Sequence, residues 1–226
     1  MTGSSGQFPV VARGLRHQLE IGGLSWSRLV RRASEIVLFG SRAQGVGGDD
    51  SDWDLLCIGD DATSRVGAVH LVWLSPDDTV RGSWLGSELA GHVAAYGVWL
   101  RGASGWKEKV FVSPSTLAHK RRLVKAGLRA LESHHRDLAP PRRHHHALRI
   151  RRDVQRLLIL GSGEAVPASP VLDQAWAASI SRDQWTAVCA SLEFDKHTAD
   201  LTWRIVSAVT APSDPASTES ELLSRR

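Results

Sequence analysis

Along the first third of the chain the apolar residues keep two different rhythms. Over residues 10–33, Val11, Leu15, Leu19, Leu24 and Leu29 recur at the spacing of one helix face, with Gly22-Gly23 as a break. The rhythm then tightens. Residues 35–39 (EIVLF) form a short β-branched and aromatic run that stops at Gly40 and predicts a buried strand. Residues 53–58 (WDLLCI) predict a second strand, 68–74 (AVHLVWL) a third, 87–95 a helix and 97–100 (GVWL) a short returning strand. Turn-formers separate them: GVGGDDS at 45–51, Gly59-Asp60-Asp61, and Ser75-Pro76-Asp77-Asp78.

From residue 115 onward the strand signals cease. Residues 115–160 and 170–208 carry helical periodicity, parted by GSGEAVPASP at 161–170, and Pro140-Pro141 divides the first stretch into two helices. Residues 1–8 are small and polar and are expected to fray, and the Pro/Ser-rich stretch 211–226 reads as a flexible tail. No internal repeat is found. The pattern predicts an α+β chain: a small mixed β-sheet domain with flanking helices over 1–112, an all-α helical-bundle domain over 113–210, and the tail over 211–226.

At 226 residues, 42% hydrophobic and 23% charged, the chain has the make-up of a globular protein with a real core. No run approaches the ~20 apolar residues of a membrane span, so no membrane partner is expected. The N-terminus lacks a basic start followed by an apolar stretch and does not read as a secretory signal. Cys57 and Cys189 stand in no metal-ligand spacing, and a disulfide scaffold does not suit a chain of this size. A reducing, cytoplasmic setting is the expectation.

The net charge of +4 hides an uneven distribution. Residues 116–160 hold 12 of the 28 Lys and Arg, only 3 of the 24 Asp and Glu, and six of the ten histidines. Either this block meets an anionic ligand, or it is a helix face paired with the acidic stretches on both sides. It lacks interleaved aromatics, which argues against a stacking platform for single-stranded nucleic acid. His144-His145-His146 does not make a three-ligand metal site, because successive helical residues diverge by ~100°. Arg129 and His134 fit the loose Arg-x4–6-His pattern of HEPN ribonucleases, a match that chance explains in a chain so rich in arginine and histidine. The nine tryptophans, Trp73, Trp84 and Trp99 among them, are expected in the core.

Candidate chemistry concentrates in LFGSRAQG at 38–45 and SDWDLL at 51–56. A strand ending in Gly40-Ser41 turns sharply and presents backbone N–H groups. A helix starting at Ser41 would add its orphan donors and dipole, an anion site suited to a triphosphate. Gly40 lets a phosphate approach the backbone, and the Ser41 hydroxyl adds a donor. Asp52 and Asp54 lie two residues apart on the next strand, so strand alternation points both to one face. Two hard oxygen ligands suit Mg²⁺, which binds phosphate oxygens and keeps part of its water shell. Paired metals can clamp both oxygens of an in-line displacement. A Gly-Ser turn or an Asp-x-Asp is common alone; their succession on consecutive strands, with ten residues between Ser41 and Asp52, is informative.

These residues resemble the signature of the DNA polymerase β-type nucleotidyltransferase superfamily: Gly-Ser, a short gap, then Asp-x-Asp. The bacterial branch of minimal and aminoglycoside nucleotidyltransferases is the most similar, and the likeness continues through VHLVWLSPDD and GSELAGHVAAYGVWLRG, over about residues 30–102. The resemblance implies transfer of a nucleoside monophosphate from an NTP, ATP among the candidates, to a hydroxyl, with release of pyrophosphate. It implies that Gly40, Ser41 and Arg42 bind the nucleotide and that Asp52 and Asp54 bind Mg²⁺, with Mn²⁺ as the alternative. The acceptor stays open between a small hydroxyl compound such as an aminocyclitol, a protein side chain and a tRNA end. The helical half is expected to supply one wall of its pocket.

One position departs from that pattern. Where the family places a third carboxylate, in Val-Asp-aliphatic-aliphatic, this chain reads Val69-His70-Leu71-Val72. His70 alternates with Val69, Leu71 and Trp73, so it can face the cleft of the two aspartates. A neutral imidazole can take the acceptor's proton, but it is a poor ligand for Mg²⁺. Three readings stand: His70 is the catalytic base, another acid such as Asp77, Asp78 or Glu88 substitutes, or the protein is a catalytically weakened nucleotide-binding, antitoxin-like interaction module.

Overall fold

A computed structural model of the chain describes residues 7–103 and 105–208. The expected tail at 211–226 and most of the expected frayed start lie outside the described residues, whereas Gln7 and Phe8 already belong to the first helix. The contacts divide the chain into two units: residues up to Thr116 together with Ser162–Pro170, and Leu117–Gly161 together with the residues from Val171 onward. Among the described residues no helix is long and apolar enough to cross a membrane.

The first unit opens with α1 (Gln7–Ile21) and α2 (Trp26–Arg32). Leu15 and Leu19, one turn apart, and Leu29 are fully buried, and the Ser25 hydroxyl caps α2 by accepting the Arg28 N–H at 3.3 Å. Five strands follow: β1 (Glu35–Phe39), β2 (Trp53–Ile58), β3 (Ser64–Val66), β4 (Val69–Leu74) and β5 (Val98–Arg101). They form one sheet in the order β3-β4-β2-β1-β5, in which β2 and β4 are parallel and the other neighbours antiparallel. The expected mixed sheet is therefore present, with one strand more than the pattern predicted. The extra strand, β3, has only three residues, two of them exposed, so it carries no apolar rhythm.

Strand alternation sorts the side chains onto two faces. Ile36, Leu38, Leu55, Cys57, Leu71 and Trp73 form one core with Leu15, Leu19 and Leu29 of α1 and α2. Burial pushes the Cys57 thiol up to about 12. Val37, Phe39, Leu56 and Ile58 face the other way and pack with Leu85 of α4 (Gly82–Leu85), with Ala90 and Val93 of α5 (Glu88–Tyr96), and with Trp106. Ser87 caps α5 through the Ala90 N–H at 3.0 Å. The stretch Ser162–Pro170 completes this unit: Tyr96 Oη donates to the Ala165 carbonyl at 3.1 Å, the Ala168 N–H donates to Gln44 Oε1 at 2.6 Å, and Val166 and Ala168 are buried.

The second unit is helical: α6 (Pro114–His134, from Leu117 onward), α7 (Pro140–Gly161), α8 (Ser169–Ser179, from Val171 onward), α9 (Arg182–Ser191) and α10 (Lys196–Ser207). Pro140 and Pro141 fall in the first turn of α7, where a missing N–H costs nothing. Val124, Leu128 and Leu131 of α6 meet Ala147, Ile150, Val154 and Leu157 of α7, each set at helical spacing. Trp176, Trp185 and Trp203 cluster beside them with ring centroids 5.9–6.1 Å apart, and Trp185 Nε1 donates to Thr202 Oγ1 at 3.2 Å. Much of the basic block is used inside this unit. Asp153 pairs with Lys120, Arg149 and Arg156, Asp173 with Arg151 and Arg152, and Glu193 with Lys125.

Candidate active site

β1 ends where the chain changes hand. Gly40 has φ +76°, and α3 (Gly40–Ala43) follows as a single helical turn. The expected helix at Ser41 thus exists but is too short for an accumulated dipole. What it offers are the N–H groups of Ser41 and Arg42, which lack an acceptor within the turn. The Gly40 N–H is already used, donating to His92 Nε2 at 3.1 Å. His92 Nδ1 lies 2.7 Å from the Val166 carbonyl, so the ring bridges two backbone groups as the neutral tautomer with its hydrogen on Nδ1. His92 is buried on α5, with its ring edge-on to Phe39.

Arg42 is engaged with the loop that follows α3. Its Nε donates to the Ser51 carbonyl at 2.9 Å and Nη2 to the Asp49 carbonyl at 3.1 Å, and the guanidinium lies 4.4 Å from the Trp53 ring centroid. It thereby ties down the loop that delivers Asp52.

Asp54 occupies the one half-buried position in a strand whose other residues are all buried. In register across the sheet stand Phe39, Asp54, His70 and Arg65, one from each of β1, β2, β4 and β3. Alternation puts Asp54 and His70 on the α5 face, and His70 Nδ1 lies 3.3 Å from Asp54 Oδ1. Burial pushes the Asp54 carboxyl above the usual carboxylate range; the contact with His70 opposes that shift, and the negative charge of Asp52 adds to it. A Cβ on Gly40 would lie 2.7 Å from Asp54 Oδ2, so the turn and the carboxylate are in direct contact.

Asp52 immediately precedes β2 and meets Arg65 in a two-pronged pair, Nη1 to Oδ1 and Nη2 to Oδ2, each 2.9 Å. Asp52 is 40% exposed and Arg65 57%. Asp77 and Asp78 follow the other end of β4, about 13 Å of strand beyond His70. Asp78 is held there by Ser75 and Arg81.

Among the described residues no group of three or more His, Cys, Asp or Glu side chains is arranged to hold a metal ion alone. The pair Asp52 and Asp54 nevertheless suits a hard divalent cation. The charge of Asp52 raises the cost of ionising Asp54, a guanidinium already meets both oxygens of Asp52, and Mg²⁺ commonly takes only one or two carboxylates plus phosphate and water oxygens.

Sequence reasoning missed Arg65 and His92. Arg65 sits on a strand too short to predict. His92 lies within the stretch that carries the family likeness, and a polar residue on the apolar face of α5 was its only signal.

The family described as "Nucleotidyltransferase domain" matches residues 25–155. A crystal structure of the spectinomycin adenyltransferase AAD(9) from Enterococcus faecialis, with ATP and spectinomycin, is similar at 13% identity and TM-score 0.43, covering 87% of this chain and 98% of that one. A toxin-antitoxin structure with AMP-PNP is similar at 20% identity and TM-score 0.25, covering 46% of this chain and 90% of that one. A comparison with curated proteins returned no match.

Proposed function

The chain belongs to the nucleotidyltransferase domain family, and from that premise we propose that it transfers a nucleoside monophosphate from an NTP to an acceptor hydroxyl. The observation that carries the reading is the meeting of the Gly40-Ser41 turn with Asp54, beside Asp52 and His70, at one end of β1, β2 and β4. The Ser41 hydroxyl and the N–H groups leading α3 receive the oxygens of the triphosphate. Asp52 and Asp54 would hold Mg²⁺ or Mn²⁺. When bound, that cation supplies charge neutralisation on the phosphate oxygens.

His70 is the base in this reading. With Nδ1 directed to Asp54, the Nε2 lone pair is left for the acceptor hydroxyl. The hydroxyl oxygen forms its bond to the α-phosphorus, its proton passes to Nε2, and the bond from the α-phosphorus to the bridging oxygen breaks to release pyrophosphate. Asp54 stabilises the resulting imidazolium, an orientation-and-charge role familiar from carboxylate–histidine pairs. The acceptor classes are a small hydroxyl compound, a protein side chain or a tRNA end.

The test is pyrophosphate release with NTP, Mg²⁺ and a panel of these acceptors. Asp52→Ala and Asp54→Asn should each fall to background while circular dichroism stays unchanged; retained transfer in both variants removes the proposal.

His70 and the Arg65–Asp52 pair support a second reading, a nucleotide-binding module weakened in catalysis, because both reduce the negative charge that a metal site offers. Calorimetry with NTP and Mg²⁺ separates the two: binding without turnover across the panel favours the module. A large gain of turnover in His70→Asp would favour it too, whereas a loss supports histidine as base.

A further inference from the structure

The two N–H prongs of Arg65 occupy both oxygens of Asp52. This is not an incidental surface pair. Arg65 is placed by strand register: β3 is the edge strand, hydrogen-bonded to β4 with Arg65 opposite His70, and His70 is in turn opposite Asp54. An isolated exposed pair contributes little, but a planar fork on a carboxylate is the strong geometry among such contacts.

The geometry points to Arg65 as a built-in competitor for the cation site: its guanidinium holds Asp52 in the metal-free protein and must give way when a divalent ion binds, so it sets the affinity of the site. This inference rests on the reading of Asp52 and Asp54 as metal ligands. A divalent ion and a guanidinium seek the same carboxylate lone pairs, and two cations on one carboxylate repel each other. Arg65 therefore keeps Asp52 neutralised and positioned until a stronger cation displaces it.

The experiment is Mn²⁺ binding to the full chain without nucleotide, followed by electron paramagnetic resonance of the free ion at low salt. Arg65→Ala should tighten binding about 3- to 10-fold, with the gain shrinking as salt rises. Arg65→Gln, which keeps most of the side chain's bulk, should tighten it similarly and guards against a local folding defect in the alanine variant. Arg81→Ala removes the same charge beside Asp78, beyond the other end of β4, and should leave Mn²⁺ affinity within twofold. In an Asp52→Asn background, Arg65→Ala should have no effect. Unchanged or weaker binding in both Arg65 variants overturns the inference, as does equal tightening in Arg81→Ala. If Asp52→Asn and Asp54→Asn both bind Mn²⁺ as the unaltered chain does, or the chain binds none, the metal-site reading itself fails.

Discussion

Gly40 and Asp54 touch so closely that a single added carbon cannot fit between them: a Cβ at Gly40 would lie 2.7 Å from Asp54 Oδ2. The φ of +76° at Gly40 independently disfavours any residue with a side chain. Gly40→Ala should therefore cost about 1–3 kcal/mol of stability from backbone strain. It should also push Asp54 out of line with His70. Chemical denaturation reads the first effect, and loss of pyrophosphate release at saturating NTP reads the second. A variant with normal stability and turnover contradicts this account of the turn.

His92 holds the same turn from behind. His92→Ala leaves the Gly40 N–H and the Val166 carbonyl without their partner, a loss of about 1–3 kcal/mol for buried groups. With Gly40 unanchored, the dissociation constant for a non-hydrolysable NTP should rise roughly tenfold, equivalent to about 1.4 kcal/mol. Calorimetry checks the affinity. The hydrogen bonds of the His92 ring go to Gly40 and Val166, so Mn²⁺ affinity should stay near that of the unaltered chain.

Asp54→Asn should make the metal-free protein more stable at neutral pH while abolishing transfer. Burial raises the Asp54 carboxyl in the folded state, so its contribution to stability is fully present below the ordinary carboxylate pKa and is lost as pH rises through the folded value. At pH 7 the ionised group is a net cost that asparagine removes. Melting temperatures without divalent ions should favour the variant at pH 7, with the difference narrowing toward pH 4. A variant equally or less stable at pH 7 would show that the His70 contact outweighs burial.

Asp173 pairs with two arginines inside the helical unit. Its side chain is 9% exposed, that of Arg151 2%, and Arg152 meets it through Nε at 2.9 Å and Nη2 at 2.5 Å. Burial holds the Arg151 guanidinium below its ordinary range, with Asp173 opposing the shift. Asp173→Ala should cost about 3–5 kcal/mol, because it removes one partner of buried ion pairs. Unfolding in urea followed by tryptophan emission measures it, since Trp176 lies 5.0 Å from Arg151.

Much of the fold is written in local pattern. The strands of WDLLCI and VHLVWL and the helix within 87–95 were legible because apolar rhythm is a property of neighbouring residues. Alternation put His70 on the face of Asp54, and the parallel register of β2 and β4 sets the two side by side. What could not be read are contacts between residues far apart in sequence. Arg65 reaches Asp52 across 13 residues, His92 reaches Gly40 across 52, and Val166 reaches His92 across 74. The hold of Arg42 on the Asp49 and Ser51 carbonyls was hidden for another reason, since only the path of the loop at 45–51 brings those carbonyls to the guanidinium.

The return of Ser162–Pro170 to the first unit has a consequence for how the protein is made. The chain grows from its N-terminus, and early segments start to fold while later ones are still inside the ribosome. Every strand of the sheet has been synthesised by Arg101, yet the carbonyl that fixes the His92 ring comes from Val166, after α6 and α7. The nascent first unit therefore waits some sixty residues for its last support. Truncation at a boundary that looks natural near residue 116 would yield a sheet whose Gly40 turn is never fully braced. An expression fragment meant to isolate this unit needs residues 162–170 grafted back onto it.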